Sequence, residues 1–505
     1  MNLVAMLEAT VRNQPHRPAL RYEGATLSYQ DFNAMTRRAA TVLQGRGVTR
    51  GSRVALMCTN TPGFLVAMFG ALRLGAAVVP VNHKLQAAEV DYILAHSGAR
   101  HCIHDGRFAA VLAGVSAPLQ CLTTATAAAG SDDFDALVAA APEHAGIEPD
   151  AGDLAEILYT SGTTGKPKGC LHTHASVFAA ALGTAAGMSI TREERMLVAM
   201  PIWHASPLNN WTLSTLLMGG TVVLLREYEP AAFLRTIQQE RTTCTFCAPV
   251  ALLAPLHAVP DFAAYDLGSM RLWTCGGGPL GAGMARRLAD AYRSPHFVQV
   301  YGMTETGPLG TALYADEAIA RAGSIGRASM PGVQMRVIKD DGSPAGPGEV
   351  GEIRLRSDAM MQGYLDDPEA SANAFDSDGW YASGDLAQVD EDGYLTIVDR
   401  AKDMVITGGE NVYSKEVEDV LSTHPLVQDV AVIGRPHPEW GETVTACVVL
   451  KPGAAPGAAD VEALRTFLTP RLARYKIPRR VELYDTLPRT PTGKLMKHVL
   501  RGRAA

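Results

Sequence analysis

Tyr159-Thr-Ser-Gly-Thr-Thr-Gly-Lys-Pro-Lys-Gly169 places four Ser or Thr hydroxyls, three glycines and two lysines within eleven residues, directly after the apolar run Leu154–Leu158. The glycines let the backbone turn and aim N–H groups at an anion, the hydroxyls add donors, and a lysine adds charge. A structural core needs no such mixture. The loop is not a Walker A motif: two residues, not four, separate Gly162 from Gly165, and Pro167 follows Lys166 where Ser or Thr is required.

Outward from this loop, Val54–Met57, Ala77–Val81, Thr221–Leu225 and Phe297–Tyr301 read as strands, and Asp31–Gln44 and Ala231–Gln239 as helices between them. The alternation predicts layered α/β structure with largely parallel sheets. Near Met330–Leu355 the texture changes: the short strands Gln334–Ile338 and Gly351–Leu355 flank the turn-rich Asp340–Gly348, which predicts a small β-rich unit. A second hairpin spans Leu386–Val398, turning at Asp392–Gly393. A fresh α/β pattern follows Arg400–Asp403. The expected division is a large domain over 1–400, α/β with a β-rich subdomain, and a small α+β domain over 401–505, long enough to fold alone.

The 505 residues are enough for several domains at roughly 100–200 residues each. A net charge of −7 and the lack of any long basic run argue against a nucleic-acid partner. Eight scattered cysteines are too sparse for a disulfide scaffold and suit a reducing compartment. Cys244 and Cys247 form a lone CxxC in an apolar stretch and read as core. His172 and His174 lack spaced partners for a metal and read as packing residues. Met1–Thr10 has no basic segment before an apolar one, so a cytoplasmic location is the expectation. Phe64–Val81 is broken by Arg73, Gly75 and Pro80 and reads as a buried helix running into a strand, not a membrane span.

Several motifs, in order from about Leu27 to Leu500, resemble those of the adenylate-forming superfamily: acyl-CoA synthetases, peptide-synthetase adenylation domains and luciferases. Size and C-terminal pattern are most similar to bacterial aryl- and medium-chain acyl-CoA ligases, including the chlorobenzoate ligase type. The resemblance implies that Thr160, Ser161, Gly162, Thr163, Thr164 and Lys168 hold phosphates. In Met200-Pro-Ile-Trp-His204 it implies that Trp203 and His204 line the acyl pocket, with His204 also at the thiol tunnel. Cys275-Gly-Gly-Gly-Pro279 is the loop expected against adenine and the acyl group, through Gly276, Gly277 and Gly278. In Tyr301-Gly-Met-Thr-Glu-Thr306, Tyr301 falls on adenine, Thr304 on the α-phosphate and Glu305 on Mg²⁺. An aromatic face stacks a base and a carboxylate is a hard oxygen ligand, so the residue types suit these roles. Met303, Gly307 and Pro308 join the acyl pocket.

Trp380-Tyr-Ala-Ser-Gly-Asp385 supplies Asp385 for the ribose hydroxyls, with Arg400 nearby; a carboxylate accepts two such bonds. Lys402 falls at the family's hinge. Gly408 and Gly409 open the loop that swings in for the second half-reaction, where Ser414 replaces the proline of many relatives. Lys494, ending Pro488-Arg-Thr-Pro-Thr-Gly-Lys494, is the family's adenylation lysine. Trp440 and Tyr475 match aromatic residues that touch coenzyme A in the chlorobenzoate ligase type. The implied reaction is carboxylate plus ATP to acyl-AMP and pyrophosphate, then acyl transfer to CoA. The expected catalytic set is Lys494, His204, Thr304 and Glu305. The implied cofactors are ATP, Mg²⁺ and coenzyme A. The other partner is an aromatic or medium-chain monocarboxylic acid, since the pocket residues include no Arg or Lys for a second carboxylate. Loading of a carrier-protein phosphopantetheine is the alternative, and a homodimer is kept open.

Overall fold

The computed structural model describes residues 1–125, 132–146, 148–160, 167–278, 280–407, 410–438, 440–454, 461–489 and 495–502. The chain divides into two compact units. The first comprises Met1–Thr160, Pro167–Met335 and Leu355–Tyr381; the second comprises Arg336–Arg354 and Ala382–Ala505.

The first unit is built on two sheets. In the six-stranded sheet the order is Gln120–Thr124, His101–Asp105, Arg53–Met57, Ala77–Pro80, Leu154–Thr160, Lys168–Thr173. Its pairings are parallel except the last, which is antiparallel. The nine-stranded sheet runs Ala328–Ser329, Thr311–Leu313, Phe297–Tyr301, Leu272–Cys275, Cys244–Cys247, Arg195–Val198, Thr221–Leu224, Pro18–Tyr22, Ala25–Ser28. Its inner pairings are parallel and both ends are antiparallel. The expected α/β layering is therefore present.

Local chemistry explains the helices that cover these sheets. Ser28 and Asp31 form a reciprocal capping box that starts Tyr29–Gly45. Pro62, whose missing N–H costs nothing in a first turn, starts Pro62–Leu72. A methyl group at Gly70 would lie 2.7 Å from Ala39 Cβ, so glycine is what allows these two helices to meet. The CxxC cysteines sit fully buried on the strand Cys244–Cys247, as core residues. Below that sheet Trp273 stacks on Phe297 (5.9 Å) and meets Tyr292 edge-on (4.7 Å), giving one large aromatic cluster. Among the described residues no helix is long and apolar enough to cross a membrane.

The second unit carries the hairpin Tyr381–Val389/Leu395–Arg400, which belongs to a four-stranded sheet with Val333–Ile338 and Val350–Ser357. It also carries a five-stranded sheet ordered Glu410–Val412, Val405–Thr407, Gly441–Leu450, Val427–His437, with Arg480–Leu483 parallel to Gly441–Leu450. Successive residues alternate between faces. Val432, Val444 and Val448 pack with Val417, Leu421, Leu464 and Leu468 on one side. Ala431, Ile433 and Cys447 pack with Leu487 and Leu500 on the other. Both faces are covered, which explains the near-continuous apolar runs in these strands.

Candidate active site

The anion loop is hung between two antiparallel strands. Thr160 pairs with Lys168 and Tyr159 with Gly169. Ser161, Gly162, Thr163 and Thr164 lie outside the described residues, as do Gly408, Gly409 and Lys494. The strand base is tight: a methyl at Gly169 would come 2.9 Å from Ile157 Cγ2. The Tyr159 hydroxyl and His96 Nδ1 are hydrogen-bonded at 2.7 Å, which fixes the tyrosine to the helix Ala87–Ser97. Lys168 emerges half-buried. Its Nζ lies 3.3 Å from Asp367 Oδ2 and 5.0 Å above the Tyr364 ring.

The same Tyr364 donates its hydroxyl proton to Glu305 Oε1 at 3.1 Å. Tyr364 thus holds an ammonium on its face and a carboxylate at its tip. Burial pushes its own ionisation upward, so it remains a donor. Glu305 sits in the 3₁₀ turn Thr304–Thr306, which follows the strand Phe297–Tyr301. The turn is fixed from three sides. Met361 N donates to the Glu305 carbonyl (2.9 Å), and Thr306 Oγ1 donates to the Met303 carbonyl (3.0 Å). His172 Nε2 donates to the Thr304 carbonyl (2.9 Å). Burial pushes the His172 imidazole down to about 4, so it is a neutral donor. Gly307 closes the turn at φ +65°, where a methyl would lie 2.5 Å from the Ala359 carbonyl; only glycine suits that position.

The acyl-side residues come from the stretch after Val198. Asn60 clamps it: Nδ2 donates to the carbonyls of Met200 (3.1 Å) and Leu225 (2.9 Å), while Oδ1 accepts from Ile202 N (2.8 Å). The Trp203 and His204 rings touch in a tilted arrangement, centroids 3.8 Å apart and planes 33° apart, and Trp203 meets His83 edge-on at 6.2 Å. The chain then forms a π-helix, Ser206–Thr212, a wide turn often found at functional sites. Within it Trp211 stacks on Phe246 (5.6 Å). Asn210 donates to Thr184 Oγ1 (2.9 Å) and to the Gly307 carbonyl (3.2 Å). That last bond ties the π-helix to the turn bearing Glu305.

Cys275 is placed differently from a pocket-lining thiol. Its side chain is buried in the aromatic core, its Sγ donates to the Val298 carbonyl (3.6 Å), and burial pushes it up to about 12. Gly276 packs against Val300, and Gly277 has φ +74°. Tyr301, Met303 and Pro308 flank this region within the same unit, and all three are partly buried.

In the second unit, Asp385 and Arg400 are cross-strand partners, with Nε 2.9 Å from Oδ1. Lys402 is half-buried, and desolvation, helped by Arg400, pushes it down to about 8. Asp399 accepts from Ser414 through both its N–H and its hydroxyl (3.1 Å). Lys497 in turn bonds Ser414 Oγ (2.5 Å) and Glu418 (2.7 Å). Ser414 therefore ties Asp399 to Lys497, and proline could supply neither of its two donors. Trp440 has the Arg479 guanidinium 3.1 Å from its ring centre and His437 stacked at 4.5 Å. Tyr475 packs against the sheet core, next to Lys476, which pairs with Glu416 (2.7 Å).

Sequence reasoning missed Tyr364, Asn60, Phe246 and Asn210. They belong to no dense motif, and only their contacts distinguish them.

A family model described as AMP-binding enzyme matches residues 7–365, and one described as AMP-binding enzyme C-terminal domain matches residues 416–494. The chain is 39% identical over 494 residues to a feruloyl-CoA synthase of an Amycolatopsis species, covering 97% of both chains. It is 38% identical over 476 residues to the long-chain-fatty-acid–CoA ligase FadD13 of Mycobacterium tuberculosis, covering 94% of this chain and 92% of that one. Among solved structures, ATP-bound MatB from Rhodopseudomonas palustris superimposes with a TM-score of 0.87 at 33% identity, covering 99% of this chain and 98% of that one.

Proposed function

Since the chain belongs to the AMP-binding enzyme family, we propose that it is an acid–thiol ligase that activates an aromatic or medium-chain monocarboxylic acid with ATP and passes the acyl group to coenzyme A. One observation carries the reading: Tyr364 holds Lys168 and Glu305 together beside the strand that launches the hydroxyl-rich loop.

The chemical obstacle is charge, because a carboxylate must approach a polyanion. In the first step a carboxylate oxygen bonds to the α-phosphorus, the bond from that phosphorus to the bridging oxygen breaks, and pyrophosphate leaves. The residues that reduce the repulsion are Lys168, the Thr160–Thr164 hydroxyls and, in our assignment, Lys494. Their contribution is positioning and charge stabilisation. Tyr301 stacks adenine, Thr304 meets the α-phosphate, and Asp385 with Arg400 takes the ribose. Glu305 suits Mg²⁺: it is a hard oxygen donor already oriented by Tyr364. Among the described residues no cluster of His, Cys, Asp or Glu forms a complete metal cage, so nucleotide oxygens and water would fill the remaining positions. When bound, the ion supplies positive charge beside the leaving phosphates.

In the second step a thiol sulfur attacks the acyl carbonyl and AMP leaves, with loss of the thiol proton. A thiol is already a good nucleophile, so His204 needs only to shape the tunnel or take that proton. We assign 1–400 to adenylation and 401–505 to a domain that turns about Lys402. That motion exchanges Lys494 for the Gly408–Gly409 loop, with Trp440 and Tyr475 at the CoA. A cytoplasmic location goes with this reading.

The acid class follows from the wall. Trp203, His204, Met303, Gly307 and Pro308, with the backbone of Cys275, offer apolar contact and no cation for a second carboxylate. Trp211, on the π-helix that follows His204, stacks on Phe246. Pyrophosphate release should be measured over a panel of hydroxycinnamic, phenylacetic, medium-chain and dicarboxylic acids, with CoA, with a carrier protein, and with neither. We expect aromatic or medium-chain monoacids to support turnover with CoA. No release with any acid would end the ligase reading; turnover only with the carrier would change the acceptor.

A further inference from the structure

Glu156 lies on the strand Leu154–Thr160, four residues before Thr160, and is fully buried. Asn209, in the π-helix Ser206–Thr212, is also fully buried and donates Nδ2–H to Glu156 Oε1. The two remaining oxygens, Glu156 Oε2 and Asn209 Oδ1, are both buried without a hydrogen-bond partner. An ionised carboxylate sealed from water needs several donors, and this one has a single amide. Two acceptors left beside one bonded pair are a costly arrangement. A single proton removes both defects: placed on Oε2 it donates to Asn209 Oδ1 and closes a ring of two hydrogen bonds. Exchanging the amide oxygen and nitrogen does not alter the count, since one carboxyl oxygen then still faces an oxygen.

We propose that Glu156 and Asn209 form a proton-bearing acid–amide pair, and that Glu156 thereby serves as a positioning residue that pins the acyl-side π-helix to the strand launching the anion loop. The surroundings agree. Glu156 pairs across the sheet with His172 on one side and Val78 on the other. His172 is held neutral by burial. The helix His174–Gly187 packs on the same strand, and its only titratable group, His174, is also pushed down by burial to about 4. The π-helix contains no ionisable side chain. Lys168, the cation on the paired strand, sits opposite Thr160 and pairs with Asp367 instead, and burial pushes the Glu156 carboxyl up to about 7. The neighbouring Asn210 reaches the Gly307 carbonyl, so adjacent asparagines fasten the π-helix to both phosphate-side segments.

The assignment of a role in acid binding rests on the ligase reading; the proton itself does not. Infrared spectra of wild type and Glu156→Gln at pH 6, where ordinary carboxyls are ionised, test the proton directly. The expected difference is one protonated-carboxyl carbonyl band, sensitive to D₂O, present only in wild type. Glutamine preserves the ring, since its amide N–H donates to Asn209 Oδ1. On the sign of the pH effect, the acid is mostly protonated in both states at pH 4, and the folded form must bury a charge above about 7. Wild type should therefore lose melting temperature relative to Glu156→Gln as pH rises from 5 to 8, by roughly 3–5 °C. Glu156→Ala should raise KM for the acid roughly tenfold with a smaller change in kcat, and Glu156→Gln should restore it to within about twofold. Absence of the band, or equal damage in the Gln and Ala variants, overturns the proposal. Should Glu156→Ala fail to fold, the band and the pH-dependent melting difference still decide it. Inactivity of wild type with every acid would instead sink the ligase reading and leave the infrared result standing.

Discussion

The turn bearing Glu305 in the first unit and the segment around Asp385–Arg400 and Lys497 in the second hold their polar groups by different means. In the first, the turn bearing Glu305 is fixed by neutral donors: buried His172, the Tyr364 hydroxyl and the Asn210 amide. In the second, Asp385–Arg400, Asp403–Arg501 and Glu418–Lys497 are ion pairs, and most of their cations keep contact with solvent. A neutral buried bond is insensitive to salt and strict in geometry. A half-exposed ion pair is screened by salt and remakes easily. The turn about Lys402 that we propose would draw on contacts of the second kind.

The largest effects should come from removing charge at the reaction itself. Lys494→Ala should lower acid-dependent pyrophosphate release by about 10²–10³-fold while sparing thioester formation from supplied acyl-adenylate. Equal loss in both half-reactions would refute the division of labour around Lys402. Glu305→Gln should cost about 10²-fold and shift the Mg²⁺ dependence to higher concentration; an unmoved magnesium titration would detach Glu305 from the metal.

The neutral network makes a prediction about acid. His172 has a folded value of about 4 against an ordinary 6.5, so the stability it supports is present above pH 6.5 and is lost as pH falls through 4. The first unit should lose about 3 kcal/mol over that window, read as a fall in its denaturation midpoint that His172→Gln reduces. Ser414→Pro removes an N–H and a hydroxyl from buried Asp399, whose carboxyl burial already pushes up. It should destabilise the second unit by about 2 kcal/mol. Hydrogen exchange confined to residues after 382 checks this, and unchanged protection there would mean the network contributes nothing. The smallest effect is expected from Tyr364→Phe. It keeps the ring under Lys168 but frees Glu305, for a loss of about 5-fold in kcat/KM. A loss as large as that of Glu305→Gln would show that the hydroxyl does more than orient.

Much of this could be read locally. Phe297–Tyr301 is a strand as its β-branched and aromatic run predicts, and the Leu386–Val398 hairpin turns where Asp392–Gly393 predicts. The loop after Leu158 announces its chemistry because its hydroxyls and glycines are neighbours in the chain. Backbone conformation and side-chain alternation depend on nearby residues, so a linear string carries them. The partners of Ser414, Tyr364 and Asn209 are 15, 59 and 53 residues away, and no spacing rule connects them.

The sequence by itself determined the order of the motifs, the strand that leads into the anion loop, and the kind of ligand that loop can take. The tertiary structure alone decided which ionisable groups are charged. Glu156, His172 and Lys402 are ordinary side chains until their surroundings exclude water, and desolvation is a property of the whole packed environment rather than of any segment. It likewise decided that the Cys275 thiol faces the core, because the side of a sheet that becomes interior depends on what folds against it.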